Sequence, residues 1–287
     1  MEYVIGAAVA IALALPVAAR WQIPLAKVVV ALVTIAVAAA LAVSWVAALV
    51  PLGLVLSAAL VAVATLGAAA TILAYRFYRD PERTVPERGD VVISPADGRV
   101  VYVYESQRGE LPVSTKLGRP YRLDELTRTD LCDGEAIVIG ISMNLADVHV
   151  NRAPIAGRVT LQRRYPGTFG SLRHVAMIFE NERATTVIAG DRLQVAVVQI
   201  ASRLVRRIAS FVETGDQVQL GARIGAIRFG SQVDVVISKR PDLVITTAPG
   251  ERLVAGESVI ARVEVVAAAA PLLSPREVEP ALASHLF

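Results

Sequence analysis

Cysteine, histidine, aromatic side chains and, over one long stretch, charge are what this 287-residue chain has least of. Cys132 is the single cysteine, which excludes an internal disulfide and fits a reducing compartment. It reads as a small apolar filler with no catalytic role. Histidine occurs three times, at His149, His174 and His285, so few positions can carry proton transfer near neutrality. Between Tyr3 and Tyr75 the charges are Arg20 and Lys27 alone, which excludes an ordinary soluble domain there. After residue 80 no window repeats with a helical period, so coiled-coil heptads are absent, and there is no tandem repeat. Aromatics make up 5% and do not interleave with basic residues. Removing Arg20, Lys27 and Glu2 from 29 basic and 26 acidic residues leaves a nearly balanced remainder. Nucleic acid is therefore not an expected partner.

What the chain has is apolar length. Hydrophobic residues reach 54%, and the excess lies at the amino-terminal end. Residues 28–50 and 52–75 are each long enough, at about 1.5 Å per residue, to cross about 30 Å of hydrocarbon. Pro51 and Gly53 mark a tight connection, so the two segments are expected to form a helical membrane hairpin. Residues 4–19 are shorter and carry Pro16, which suits a marginal third span or an interfacial segment. The acidic start Met1-Glu2-Tyr3 argues against a signal peptide. Arg20 and Lys27 precede the hairpin, and Arg76, Arg79, Arg83 and Arg88 follow it. The positive-inside rule then places the rest of the chain on the cytoplasmic side of the cell membrane. The basic cluster itself suits anionic headgroups or simply follows topology.

The region 76–266 reads as one mainly β domain, a sandwich or barrel-like hybrid. Val-, Ile- and Tyr-rich runs alternate with Gly, Pro, Asp and Asn, giving expected strands that include 99–104, 135–142, 174–180, 193–201 and 233–238. The runs Ala136–Ile139 and Val195–Val198 are apolar on both faces, as buried central strands are. The tail 267–287, with Pro271, Pro275 and Pro280, is expected to be flexible.

Three polar islands interrupt this pattern. Ser94-Pro95-Ala96-Asp97-Gly98 is in the plainest reading a turn. Asn144 to Pro154 gathers Asp147, His149, Asn151 and Arg152 just after a buried strand. A lone histidine is more often structural, but such density favours a site. Asp147 could orient His149 or merely cap a turn. The third island, Val212 to Gly225, runs on into Phe229-Gly230-Ser231. Its Gly-Asp-x-Val-x-x-Gly-x-x-Ile-Gly pattern is a β-hairpin signature also found in biotinyl and lipoyl carriers and in membrane-fusion adaptors. A non-enzymatic membrane-anchored module of that kind is the alternative, weakened by the missing tip lysine and the missing heptads. At a strained Gly-Ser turn the hydroxyl can reach the preceding carbonyl. Attack by Ser231 on Gly230 would give an ester, and elimination would leave a pyruvoyl group.

Together these islands resemble the phosphatidylserine decarboxylase proenzymes, in the short bacterial and archaeal form. The likeness runs from Tyr75-Arg76-Phe77-Tyr78-Arg79-Asp80-Pro81-Glu82-Arg83 through Ser94–Gly98 and Asp147–Arg152 to Phe229-Gly230-Ser231. The resemblance implies self-cleavage into chains 1–230 and 231–287, with Ser231 becoming the pyruvoyl group. No metal and no other cofactor is implied. An aminophospholipid in the membrane would form a Schiff base with the ketone, lose CO2 and leave as the ethanolamine lipid. His149 matches the family histidine of substrate handling and proton transfer, and Asp97 matches the aspartate expected to assist activation of the serine. Long-form members carry a second histidine where this chain has Arg152, which is no base at physiological pH. The base that activates Ser231 is left open among His149, Asp97 and water.

Overall fold

The computed structural model describes residues 1–20, 23–87, 90–114, 118–129, 135–172, 174–202, 208–227 and 231–264. Cys132, Phe229, Gly230, His285 and the tail from 267 lie outside them. Three helices open the chain: α1 (Glu2–Arg20), α2 (Leu25–Leu49) and α3 (Leu54–Tyr78). All three are long and apolar enough to cross a membrane. They are rich in Ala, Val and Leu with no polar face, the pattern of a helix whose surroundings are apolar all round. α1 comes close to α3 at Gly6, where a Cβ would meet the Ala58 carbonyl oxygen at 2.3 Å and the Val61 Cβ at 2.9 Å. Small residues at such crossings let backbones approach, and dispersion then holds the pair. Val61, fully buried, also packs with Ala39 and Val43 of α2.

Beyond the helices lies an antiparallel eight-stranded sheet. In spatial order its strands are Gln217–Val218, Gly157–Tyr165, Arg183–Ala189, Gln194–Ile200, Ser231–Ser238, Ala136–Met143, Gly98–Glu105 and Arg252–Leu253. Both runs read as apolar on two faces are interior strands, as their composition requires. Ser231–Ser238 sits between them, paired on one side with Ala136–Met143 and on the other with Gln194–Ile200. Three further antiparallel units complete the domain. One joins Ile208–Ser210, Arg223–Ile227 and Val150–Arg152, and another joins Val91–Ile93, Val259–Val263 and Leu243–Ile245. The third is the pair Glu110–Ser114 and Pro120–Arg122.

Strand periodicity divides the core. Val233, Val235 and Ile237 face one cluster with Ile139, Ile141 and Ile227, while Val236 faces a second with Val138, Val198 and Leu126. The second cluster is roofed by two short helices, α4 (Leu123–Thr127) and α5 (Val175–Glu180). The strand expected at 174–180 is therefore wrong: that segment is α5. A short apolar run has no decisive period. Here the place beside Gly157–Tyr165 is taken by Arg183–Ala189. The preceding turn instead drops Ile178 and Phe179 onto the sheet, with Phe179 stacked on Tyr121 at 3.8 Å between ring centroids.

Candidate active site

Ser231 is the first residue of its strand and is 2% exposed. It pairs with Met143, so its side chain shares the face of Val233 and Val235. Its hydroxyl lies 3.4 Å from the Met143 sulfur, a weak acceptor. Among the described residues no imidazole or carboxylate reaches that hydroxyl. Ser231 is thus buried beside a thioether, with no ionised partner among the described residues.

His149 stands in the loop after Ala136–Met143. Asn144 and Asp147 shape that loop: Asn144 N–H donates to the Asp147 carboxylate at 2.8 Å, and Asp147 N–H donates to the Asn144 carbonyl at 3.0 Å. The other oxygen of Asp147 accepts from Arg252. Asp147 thus caps its turn, and what meets the histidine is its carbonyl. Nδ1 of His149 lies 2.8 Å from that oxygen. A carbonyl can only accept, so Nδ1 carries the proton and Nε2 bears the lone pair. Nε2 is buried and has no hydrogen-bond partner among the described residues. Burial pushes the imidazole down to about 4, against the Asp147 carbonyl bond and the charges of Asp147 and Asp97. At neutral pH the ring is an uncharged base with a free nitrogen. The His149 carbonyl accepts from Ile227 N–H at 3.0 Å, which ties the loop to the strand leading towards Ser231.

Asp97 is held from three directions. Arg83 Nη2 lies 2.9 and 3.0 Å from its two oxygens, Ala255 N–H donates at 2.8 Å, and Val148 N–H lies at 3.4 Å. Its turn needs Gly98, because a Cβ there would meet the Ser142 carbonyl oxygen at 2.4 Å. Asp97 and His149 are thus brought together through the Val148 backbone. Ser231 is joined to them through the strand and loop connections rather than by a direct hydrogen bond.

The segment following α3 crosses this region as a strap, and sequence reasoning missed its role. Phe77 lies on the His149 ring, with centroids 4.2 Å apart and planes at 38°. Asp80 bridges Arg152 and Arg223, and Glu82 reaches Arg223 at 2.8 Å. Arg152 also donates to the carbonyls of Gly221 and Pro81 at 3.0 and 2.9 Å. Arg152 is therefore a structural cation, tied to Asp80 and to two backbone carbonyls. Arg83, read from sequence as a headgroup or topology charge, instead forms an interior ion pair with Asp97. The family-like stretch Tyr75–Arg83 was the signal that could have found these contacts.

These features describe a sheet-rich domain behind three apolar helices, with a buried serine, a buried histidine and an ion-paired aspartate as the candidate site. The chain belongs to the phosphatidylserine decarboxylase family, whose profile matches residues 70–261. It is similar to the phosphatidylserine decarboxylase proenzyme of Erythrobacter litoralis, 41% identical over 193 residues that cover 65% of this chain and 72% of that protein. The proenzyme of Xanthobacter autotrophicus is 40% identical over 184 residues, covering 64% and 71%. That of Ruegeria pomeroyi is 38% identical over 197 residues, covering 68% and 81%. Family membership makes the chain a decarboxylase formed as a proenzyme.

Proposed function

We propose that the chain cuts itself between Gly230 and Ser231 and that the mature enzyme converts phosphatidylserine to phosphatidylethanolamine and CO2 at the cytoplasmic face of the membrane. The observation that carries this reading is the buried, neutral His149, its Nε2 unpaired among the described residues, on the loop bonded to the strand that leads towards Ser231. In the cut, the Ser231 Oγ adds to the Gly230 carbonyl and the acyl group moves from nitrogen to oxygen. Elimination frees Gly230 as a carboxylate and leaves dehydroalanine, whose hydrolysis releases ammonia and leaves a pyruvoyl group. Since no imidazole touches the hydroxyl directly, His149 Nε2 would take the serine proton through an intervening water, while the Asp147 carbonyl keeps the ring in the required tautomer. Asp97 is less suited to that task, since Arg83 and two backbone N–H groups occupy its oxygens. Its part is to fix Val148 and so the histidine.

The surroundings fit a pyruvoyl group at residue 231, because an uncharged keto group needs no counter-ion and Ser231 is buried beside a thioether with no ionised partner among the described residues. When formed, it supplies a ketone for the substrate amine and a sink for the electron pair released as CO2 leaves. His149 Nε2, neutral at the outset, would take a proton from the substrate ammonium and give it back after CO2 has left. The apolar helices would keep the site at the surface where a diacyl substrate lies. A denaturing gel with mass spectrometry tests the cut: two fragments, 1–230 and 231–287, are expected, and a single chain from Ser231→Ala. Borohydride with serine-headgroup vesicles should inactivate the cut enzyme. An uncut wild type that still releases CO2 overturns the reading.

A further inference from the structure

We propose that Phe77, the penultimate residue of α3, is a positioning residue for His149, so that the end of an apolar anchor helix forms one wall of the catalytic site. The proposal rests on the reading of His149 as the site's base. Three observations carry it. Phe77 is 4% exposed although it lies near the end of a helix whose Tyr75 and Tyr78 are exposed, so of these three it is the side chain that is buried against the domain. Its ring covers the imidazole at 4.2 Å, and Tyr78 meets Phe77 edge-on at 5.0 Å. The chain then continues directly into the strap, where Asp80 holds Arg152 and Arg83 holds Asp97. The helix end is thus locked to the same two islands that carry His149 and Asp97.

The physical consequence is exclusion of water from one face of the ring. Among the described residues, the charged and polar groups that act on His149 come from its own loop and from the Asp97 turn. Its loop supplies the Asp147 carbonyl, with the Asp147 carboxylate turned to Arg252. The other turn supplies Asp97, neutralised by Arg83. The carboxylates favour a proton on the ring, and burial opposes it and wins. Phe77 belongs to the opposing side. With 25 residues, α3 is about 37 Å long at about 1.5 Å per residue, roughly a turn more than the hydrocarbon core requires. That last turn is where Phe77 sits, so docking of the helix end and protection of the base are one event.

Replacing Phe77 by Ala should hydrate the ring and let its proton affinity rise. The neutral ring is the working form, so activity is present above its pKa and lost as pH falls through it. In Phe77→Ala the acid limb of the decarboxylation profile should move up by about one unit or more, towards the ordinary histidine value of about 6.5. For a shift of about two units, activity should fall about tenfold at pH 5 and hardly at all at pH 8, and Phe77→Leu should restore most of it. The same shift should be read directly by NMR titration of His149 in the full-length Ser231→Ala chain in nanodiscs, where no pyruvoyl group can form. A uniform loss at every pH with an unmoved His149 titration overturns the proposal. If wild type proves uncut and the titration still moves with Phe77, the contact stands and the catalytic reading of His149 falls.

Discussion

At the scale of single residues, the ion pair of Arg83 with Asp97 has the largest consequence. Both side chains are 10% exposed. Removing the cation leaves a carboxylate held among backbone N–H groups with no counter-charge, a change that costs about 3–5 kcal/mol in comparable settings. Arg83→Met should therefore lower the thermal midpoint sharply, and Arg83→Lys should recover part of it as a point charge without the fork. Asp97 and His149 could be singled out as candidates because each sits in a compact polar motif. Arg83 and Phe77 were not, because what matters is the partner across the fold, and a charge after an apolar helix is usually topological. Asp234 shows the same limit. Val233-Asp234-Val235 reads as a strand with one polar face, yet both neighbouring strands are central and the carboxylate is fully buried. It accepts from Tyr102 and Gln232, both at 2.7 Å, and burial pushes it up to about 6.

At the scale of elements, alternation announced the long strands and failed for the short pieces. Ala136–Met143 and Gln194–Ile200 were legible because a strand covered on both faces must be apolar throughout. α5 was not, since a single helical turn and a short buried strand have the same composition. Two-residue strands such as Arg252–Leu253 exist through pairing alone. In the helical part, the crossing of α1 and α3 depends on one missing side chain. Gly6→Val should force the helices apart at a cost of about 1–3 kcal/mol. Gly67→Val, with nothing within 4 Å of the added atom, should be nearly neutral. Cross-linking of α1 to α3 and thermal unfolding of the full chain in detergent would register the difference. Equal effects at both glycines would show that the close approach does not hold the pair.

Across the whole molecule, three apolar helices ahead of the sheet-rich domain set a parity. If all three cross the membrane, the start of α1 and the domain stand on opposite sides. A tag ahead of α1 should then be reached by protease from outside intact cells, and a tag after the domain only once the membrane is opened. Protection of both tags would make α1 an interfacial helix. The sequence left that choice open because residues 4–19 are short and contain Pro16, whereas α1 accommodates the proline and runs from Glu2 to Arg20.

The strand that begins at Ser231 is hydrogen-bonded along both edges, and the segment after it also supplies Leu243–Ile245, Arg252–Leu253 and Val259–Val263 to the neighbouring layers. A nick ahead of Ser231 changes the connectivity of the polypeptide and leaves its topology alone. The two products would behave as a permanent heterodimer, with no exchange of halves between molecules short of unfolding. Nor should they assemble when made apart, since a middle strand would have to slip between neighbours already closed on each other. If the proposed cut occurs, each molecule would acquire its electrophile once, in place, and keep it for the lifetime of the fold.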